Sequence, residues 1–256
     1  AVDNLLRSPR RTRNSLFSLM MGLVLVVMIS VVNASFGGTM RGRYDKTVRP
    51  DLIASSTGRL ISSQMQPLHE SLGPRLAETP GILGAFGLRI VRTEYEGGKI
   101  GIKAFDEPHA SIRYGSFDVK DRPAFDAGHE LYHGAEPALL VTETFALRFR
   151  KKTGDTVELP TPSGMLRARV AGVAEDFSAG GGFVIMSRAL YKKYWKDPLV
   201  TGFGIQAVPG ADALAIKREL EGRFGKSLGL MVTLNSEMKE QLEQAIESKE
   251  EKTRLA

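Results

Sequence analysis

Residues 15–36 read SLFSLMMGLVLVVMISVVNASF, and the fold of everything after them depends on how this stretch is read. It carries no charge. From Leu16 to Val32, eleven of seventeen residues are Leu, Ile, Val or Phe. A helix that spans the hydrocarbon core needs about 20 mostly apolar residues. Here the large apolar residues contribute roughly −0.3 to −0.6 kcal/mol each, which outweighs Ser18, Gly22 and Ser30. Residues 15–36 are therefore predicted as a transmembrane helix.

Just upstream stand Arg7, Arg10, Arg11 and Arg13 against a single acid, Asp3. Positive charge stays on the cytoplasmic side of a membrane helix, so these four arginines orient the span. The N-terminus is cytoplasmic and everything after Phe36 lies outside. A secretory signal peptide shares the basic start and the small residues of Val32-Asn33-Ala34, but its apolar core runs to about 7–15 residues. The longer run favours a span, and either reading exports the remainder. The chain opens on Ala1 and reads as a piece of a longer protein. Residues 1–14, with Leu5 and Leu6 among arginines, suit a short amphipathic segment on the cytoplasmic surface, its arginines reaching anionic lipid headgroups.

The charge of the whole chain fits this picture better than a nucleic-acid one. The net charge is +6, of which +3 lies in residues 1–15. A nucleic-acid binder concentrates basic residues on its folded face; this chain places half of its excess beside a hydrophobic run, so no nucleic-acid partner is expected. The composition, 42% hydrophobic and 25% charged over 256 residues, excludes wholesale disorder. The mean hydropathy of −0.13 excludes a polytopic membrane protein over this stretch. With no cysteine, disulfides, thiolate metal sites and cysteine nucleophiles are all excluded.

Beyond the span, short strand and helix patterns alternate without a repeat, which gives an α+β fold. Strands are predicted at 51–55, 87–94, 99–105, 139–142, 183–186, 202–208 and 230–234. A hairpin is predicted from 156–160 and 166–173, around the Thr161-Pro162-Ser163-Gly164 turn. Leu68, Leu72 and Leu76 at four-residue spacing predict a helix over 67–76. Ser187 caps a helix over 188–195. Its Tyr191, Tyr194 and Trp195 are expected to be half core, and Lys192, Lys193 and Lys196 solvated. Asp212 opens a helix that buries Ile216, Leu220 and Phe224 and stops at Gly225. A charged helix, 236–256, closes the chain.

Three motifs carry possible chemistry. His129-Glu130-Leu131-Tyr132-His133 satisfies H-E-x-x-H, which on a helix sets two imidazoles on one face for zinc and a glutamate as general base. That would make the protein a membrane-anchored zinc peptidase, with Glu130 catalytic and His129 and His133 as ligands. Gly128, Gly134 and Pro137 around it argue against a helix, so a polar loop is expected and no metal site is assigned. Gly225-Lys226-Ser227 mimics the end of a phosphate-binding loop but follows a helix instead of a strand. Ala179-Gly180-Gly181-Gly182 reads as a flexible turn. A third reading of the whole is an anchored binding or sensor domain.

The order of features is similar to that of FtsX-like ABC transporter permeases with a MacB-like periplasmic core domain. The residues that carry the resemblance begin with Asn4-Leu5-Leu6-Arg7-Ser8-Pro9-Arg10-Arg11-Thr12 ahead of the span. They continue with Val141-Thr142-Glu143 and Ala146, Gly154-Asp155-Thr156-Val157, Thr161-Pro162 and Gly164. Val170-Ala171-Gly172-Val173 and Asp176-Phe177 complete the set. The resemblance implies a permease subunit of the plasma (inner) membrane, not itself an enzyme, with its main domain periplasmic or extracellular. The core domain would occupy 37–235, with a mostly β insertion at about 105–179, and 236–256 would lead toward the next span. The implied partners are a cytoplasmic ATPase subunit that binds ATP–Mg, membrane lipid, a second permease copy and an exported partner protein. This chain itself would hold no cofactor. The substrate class is open among lipoprotein, lipid, peptide, drug and activation of a cell-wall hydrolase.

Overall fold

A computed structural model describes residues 9–47, 50–56, 66–107, 117–175 and 181–240. The chain divides into two compact units, residues 1–45 with 240–256, and residues 46–239.

In the first unit, helix α1 runs Pro9–Thr47, 39 residues, and contains the whole of the 15–36 stretch. Every side chain from Leu16 to Val32 is exposed, with Leu19 at 72%. Among the described residues no helix is long and apolar enough to cross a membrane. The stretch expected to span the membrane is thus helical throughout without meeting that criterion among the described residues. Arg7 lies outside the described residues, as does most of the 236–256 helix; Arg10, Arg11 and Arg13 fall in α1, and Arg13 is exposed.

The second unit is a mixed α+β fold on one large sheet. In chain order it holds β1 (Leu52–Ser55), β2 (Leu68–His69), α2 (Leu72–Ala77), β3 (Ile82–Tyr95), β4 (Gly98–Phe105) and α3 (Ala124–His133). Then come β5 (Ala138–Thr142), α4 (Glu143–Phe149), β6 (Thr156–Thr161), β7 (Gly164–Ala174), β8 (Phe183–Ser187) and α5 (Arg188–Trp195). The chain closes with β9 (Leu199–Val200), β10 (Gly202–Ala207), α6 (Ala213–Leu220), β11 (Met231–Leu234) and a helix, α7, described over 235–240. Nine described strands form the sheet, in the order β11-β1-β10-β3-β4-β8-β5-β7-β6, and β2 pairs with β9 apart from it. Two pairings are parallel, β4 with β8 and β5 with β7. The segment 105–179, expected as mostly β, holds β5, β6 and β7 but also α3 and α4 among its described residues.

The sheet consists of two half-sheets that share one strand. The first part of β3 pairs with β10, from Ile82↔Ala207 to Leu88↔Gly202. The second part pairs with β4, from Leu88↔Phe105 to Tyr95↔Gly98. In the register of β3, Leu88 alone has a partner on both flanks. The first half-sheet buries Leu52, Phe203, Ile205 and Val232 against Leu72 and Leu76 of α2 and Ile216 and Leu220 of α6. The second half-sheet buries Ile102, Leu139, Val141 and Val184 beneath Phe145 of α4 and Tyr191 of α5. Leu140 of β5, Ala171 of β7 and Ile185 of β8 face Ala127 and Leu131 of α3 on the opposite side.

Side chains occupy part of the outer edge of both outer strands. On β11, the Val232 N–H donates to Glu221 Oε1 (3.1 Å) and the Leu234 N–H to Glu237 Oε2 (3.0 Å). On β6, Lys151 Nζ donates to the Thr156 carbonyl (3.2 Å), and Pro160 has no N–H to offer.

Three helix predictions need correction. Leu68, Leu72 and Leu76 are all buried, as their spacing requires, but Leu68 lies in β2 and pairs with Val200, so the helix begins only at Leu72. Second, α6 does not stop at Gly225. It continues through a π turn, Glu221–Gly225, and a last turn, Lys226–Leu228, to Gly229 at φ 62°. Ile216, Leu220 and Phe224 are four apart, and each step of four overshoots a 3.6-residue turn by about 40°. The wider i→i+5 turn takes that drift back and returns Phe224 to the core, where it is 2% exposed. Third, H-E-x-x-H is helical after all. Gly128 costs about 1 kcal/mol against Ala in a helix interior. Burying Leu131 contributes roughly 1.5–3 kcal/mol, which outweighs it.

Candidate functional site

The most strongly constrained polar cluster lies where β3 changes partners, and the strand register builds it. Phe105 of β4 pairs in parallel with Ser187 of β8, so the next residues, Asp106 and Arg188, come side by side. Ser187 caps α5 by accepting from the Leu190 N–H (3.3 Å), which turns the chain at Arg188 inward. From the other half-sheet, the β2–β9 pair brings Glu70 to the same place, its N–H donating to the Pro198 carbonyl (3.1 Å).

Arg188 is 1% exposed. A buried guanidinium is tolerated only when its N–H groups are paired, and these are. Nε donates to Asp106 Oδ1 (3.1 Å), Nη1 to the Leu199 carbonyl (2.8 Å) and Nη2 to Glu70 Oε2 (2.7 Å). Lys192, one turn along α5, donates to the other Glu70 oxygen (2.7 Å). Burial pushes the Glu70 carboxyl upward, but hydrogen bonds from Lys192 and Arg188 and the two positive charges outweigh it and hold the carboxyl below its ordinary range.

The cluster also closes both flanks of β3. Asp106 Oδ2 accepts from the Gly87 N–H (2.7 Å), and the Asp106 N–H donates to the Gly87 carbonyl (2.9 Å), one step beyond the end of β4. On the opposite flank, Thr201 N–H donates to the Leu88 carbonyl (2.7 Å), and Thr201 Oγ1 accepts from the Ile90 N–H (2.8 Å), one step beyond the end of β10. Asp197 ties the loop after α5 to the same strand. It accepts from Arg89 Nε (2.8 Å), Tyr191 Oη (2.9 Å) and the Leu199 N–H (2.9 Å). Burial raises the Asp197 carboxyl, and these donors with the Arg89 charge more than reverse that, leaving it lowered. Burial, then the hydrogen bond to Asp197, pushes the Tyr191 phenol up to about 12.

The H-E-x-x-H residues serve a different arrangement. On α3, His129 and His133 are exposed with ring centroids 5.1 Å apart, and Phe125 stacks on His129. Glu130, the would-be base, is instead held by Arg122 (2.7 Å) and Arg169 (3.2 Å), while His133 Nε2 meets Glu107 (2.9 Å). Among the described residues no three His, Cys, Asp or Glu side chains are grouped to hold a metal ion. Gly225-Lys226-Ser227 lies inside a helical run, not in a phosphate loop. Gly181 and Gly182 are close-packed: a β-carbon at Gly181 would stand 1.8 Å from the Lys99 carbonyl oxygen, and Gly182 has φ +83° against the Phe145 backbone. Ala179 and Gly180 lie outside the described residues. On α5, Tyr191 is buried and stacks with Trp195 at 4.9 Å, while Lys193 is exposed.

The arrangement around Arg188 pairs its guanidinium and Lys192 with Asp106, Glu70 and the Leu199 carbonyl, so it suits holding the two half-sheets together. Residues 15–223 match the family model of the MacB-like periplasmic core domain. An uncharacterized ABC transporter permease of Mycobacterium tuberculosis is 25% identical over 231 residues, 88% of this chain and 26% of that protein. The chain thus spans about a quarter of the length of this curated relative. Among solved structures, the periplasmic region of MacB from Actinobacillus actinomycetemcomitans has the same fold. Its TM-score is 0.53 at 11% identity, over 78% of this chain and 95% of that one. The extracellular domain of the noncanonic ABC-type transporter YknZ from Gram-positive bacteria gives a TM-score of 0.46 at 14% identity, over 65% and 89%.

Proposed function

The chain belongs to the MacB-like periplasmic core domain family, and from that premise we propose that it is the exported domain, with its leading membrane helix, of an ABC transporter permease. The observation that carries this reading is the pairing of β1 with β11. Leu52 faces Leu234, and the Asn235 N–H donates to the Asp51 carbonyl (2.9 Å). The first and last strands of the domain are therefore neighbours, and the chain is received and returned side by side. A domain inserted between two helices of one permease needs that geometry.

In this reading residues 15–36 are the first span, supported by the uninterrupted exposure of the large apolar residues 16–32. Arg7, Arg10, Arg11 and Arg13 keep the N-terminus in the cytoplasm. A separate cytoplasmic subunit binds ATP–Mg, and its cycle moves the spans. The exported domain follows through β1 and β11 and acts on a substrate or partner outside. The chemistry of a peptidase has no support in the site, because Glu130 is engaged by two arginines.

The test is topological. In intact cells expressing the permease, a thiol probe that cannot cross the membrane labels a cysteine placed at Ser163 and leaves one at Ser8 untouched. The chain has no cysteine of its own to confuse the result. The reverse pattern overturns the reading.

A further inference from the structure

The half-sheets share a single strand, and no ladder bond other than those of β3 joins them among the described residues. A sheet with continuous pairing resists bending because each strand is held on both sides. Here β3 is held by β10 up to Leu88 and by β4 from Leu88 onward, so the two ladders overlap only around that residue, each carried one step further by a backbone bond, Asp106 N–H to the Gly87 carbonyl and Thr201 N–H to the Leu88 carbonyl. Beyond those backbone bonds, what reinforces this short overlap is made of side chains. Arg188, on the helix after β8, reaches Glu70 and the Leu199 carbonyl on the side of the first half-sheet, and Asp106 on its own side. Arg89 and Tyr191 converge on Asp197 beside it.

We infer that the domain is hinged at Leu88 and latched by Arg188: the guanidinium, buried between Asp106 and Glu70, fixes the angle between two half-sheets that would otherwise pivot about one strand. Each half-sheet has its own apolar core, so releasing the latch leaves two folded bodies. This inference stands apart from the transport reading. If that reading also holds, the latch sets whether the second half-sheet follows a pull delivered through β1 and β11.

The test measures distances in the full chain, using pairs of spin labels on introduced cysteines. One pair crosses the hinge, at Arg218 and Glu136, and one stays within the second half-sheet, at Ser163 and Glu136; all three positions are exposed. In the wild type both distributions are narrow. In Arg188→Met, which keeps the length and removes the charge and donors, the cross-hinge distribution widens severalfold while the internal one stays narrow. A lowered melting temperature with an unchanged cross-hinge distance overturns the latch and leaves Arg188 a stabilising residue only. If Arg188→Met unfolds and both distributions broaden, Glu70→Gln decides. Widening confined to the cross-hinge pair supports the latch, and no change or equal broadening overturns it.

Discussion

Asp106 stands against Gly87 with no room for a β-carbon between them. A methyl at position 87 would lie 2.7 Å from Asp106 Oδ2 and 2.8 Å from Val200 Cγ1. The carboxylate that caps the flank of β3 is the same one that receives Arg188, so a small change at a backbone position reaches the buried cation.

Gly87→Ala is accordingly expected to destabilise the domain by about 1–3 kcal/mol, as overpacking does. Gly222→Ala meets nothing within 4 Å and needs no unusual backbone angle; in its helical turn it should stabilise by about 0.5–1 kcal/mol. Urea unfolding of the two variants reads both signs, and a neutral Gly87→Ala would refute the close approach.

The H-E-x-x-H residues should divide by role. Glu130→Gln removes a carboxylate shared by Arg122 and Arg169 and should cost about 1–3 kcal/mol. Replacing both exposed histidines by alanine should change stability by no more than about 0.5 kcal/mol. Stoichiometric zinc in purified protein, lost in the double-histidine variant, would restore the peptidase reading.

Acid stability should follow Asp197 and Glu70. Both carboxyls are lowered in the folded state, so their contribution is complete above the unfolded value near pH 4 and is lost as pH falls through the lower folded one. The melting temperature of the wild type should drop below about pH 4, and Asp197→Asn should flatten part of that drop. An acid limb of unchanged steepness in Asp197→Asn would exclude Asp197 as its source.

Helix α7 is fastened to the sheet at its first turn. Lys217 Nζ donates to both oxygens of Glu237 (2.7 and 2.8 Å), and Glu237 in turn accepts from the Leu234 N–H. The Lys217 hydrogen bond, then the Leu234 one, hold the Glu237 carboxyl low despite burial. Glu237→Ala should speed hydrogen exchange at the Leu234 amide by about fivefold, the equivalent of the roughly 1 kcal/mol a net hydrogen bond contributes. Unaltered exchange would mean the amide is protected by other groups.

Local chemistry made much of this fold legible. The cap at Ser187 and the helix after it follow from one hydroxyl and an amphipathic run. Asp212 accepts from Leu214 and Ala215 as its position before Ala213 predicts. The 156–161 and 164–174 hairpin is written in its alternation and turn. Leu68 shows where such reasoning stops. Its spacing reports burial correctly, but a strand partner 132 positions away, Val200, decides the backbone. The cluster around Arg188 was not legible at all. Glu70 and Asp106 lie 118 and 82 positions from Arg188, and no motif marks them; the parallel register of Phe105 with Ser187 brings Asp106 to Arg188, and the β2–β9 pair brings Glu70.

The partly occupied outer strands bear on which company the domain keeps. An open strand edge invites other copies of a chain to zip onto it. On β11 the carboxylates of Glu221 and Glu237 already occupy the Val232 and Leu234 amides, and on β6 Lys151 and Pro160 leave little to bind. Both edges are thereby poorer templates for an added strand. A companion is thereby steered toward side chains on the faces and helices of the domain in preference to its strand edges.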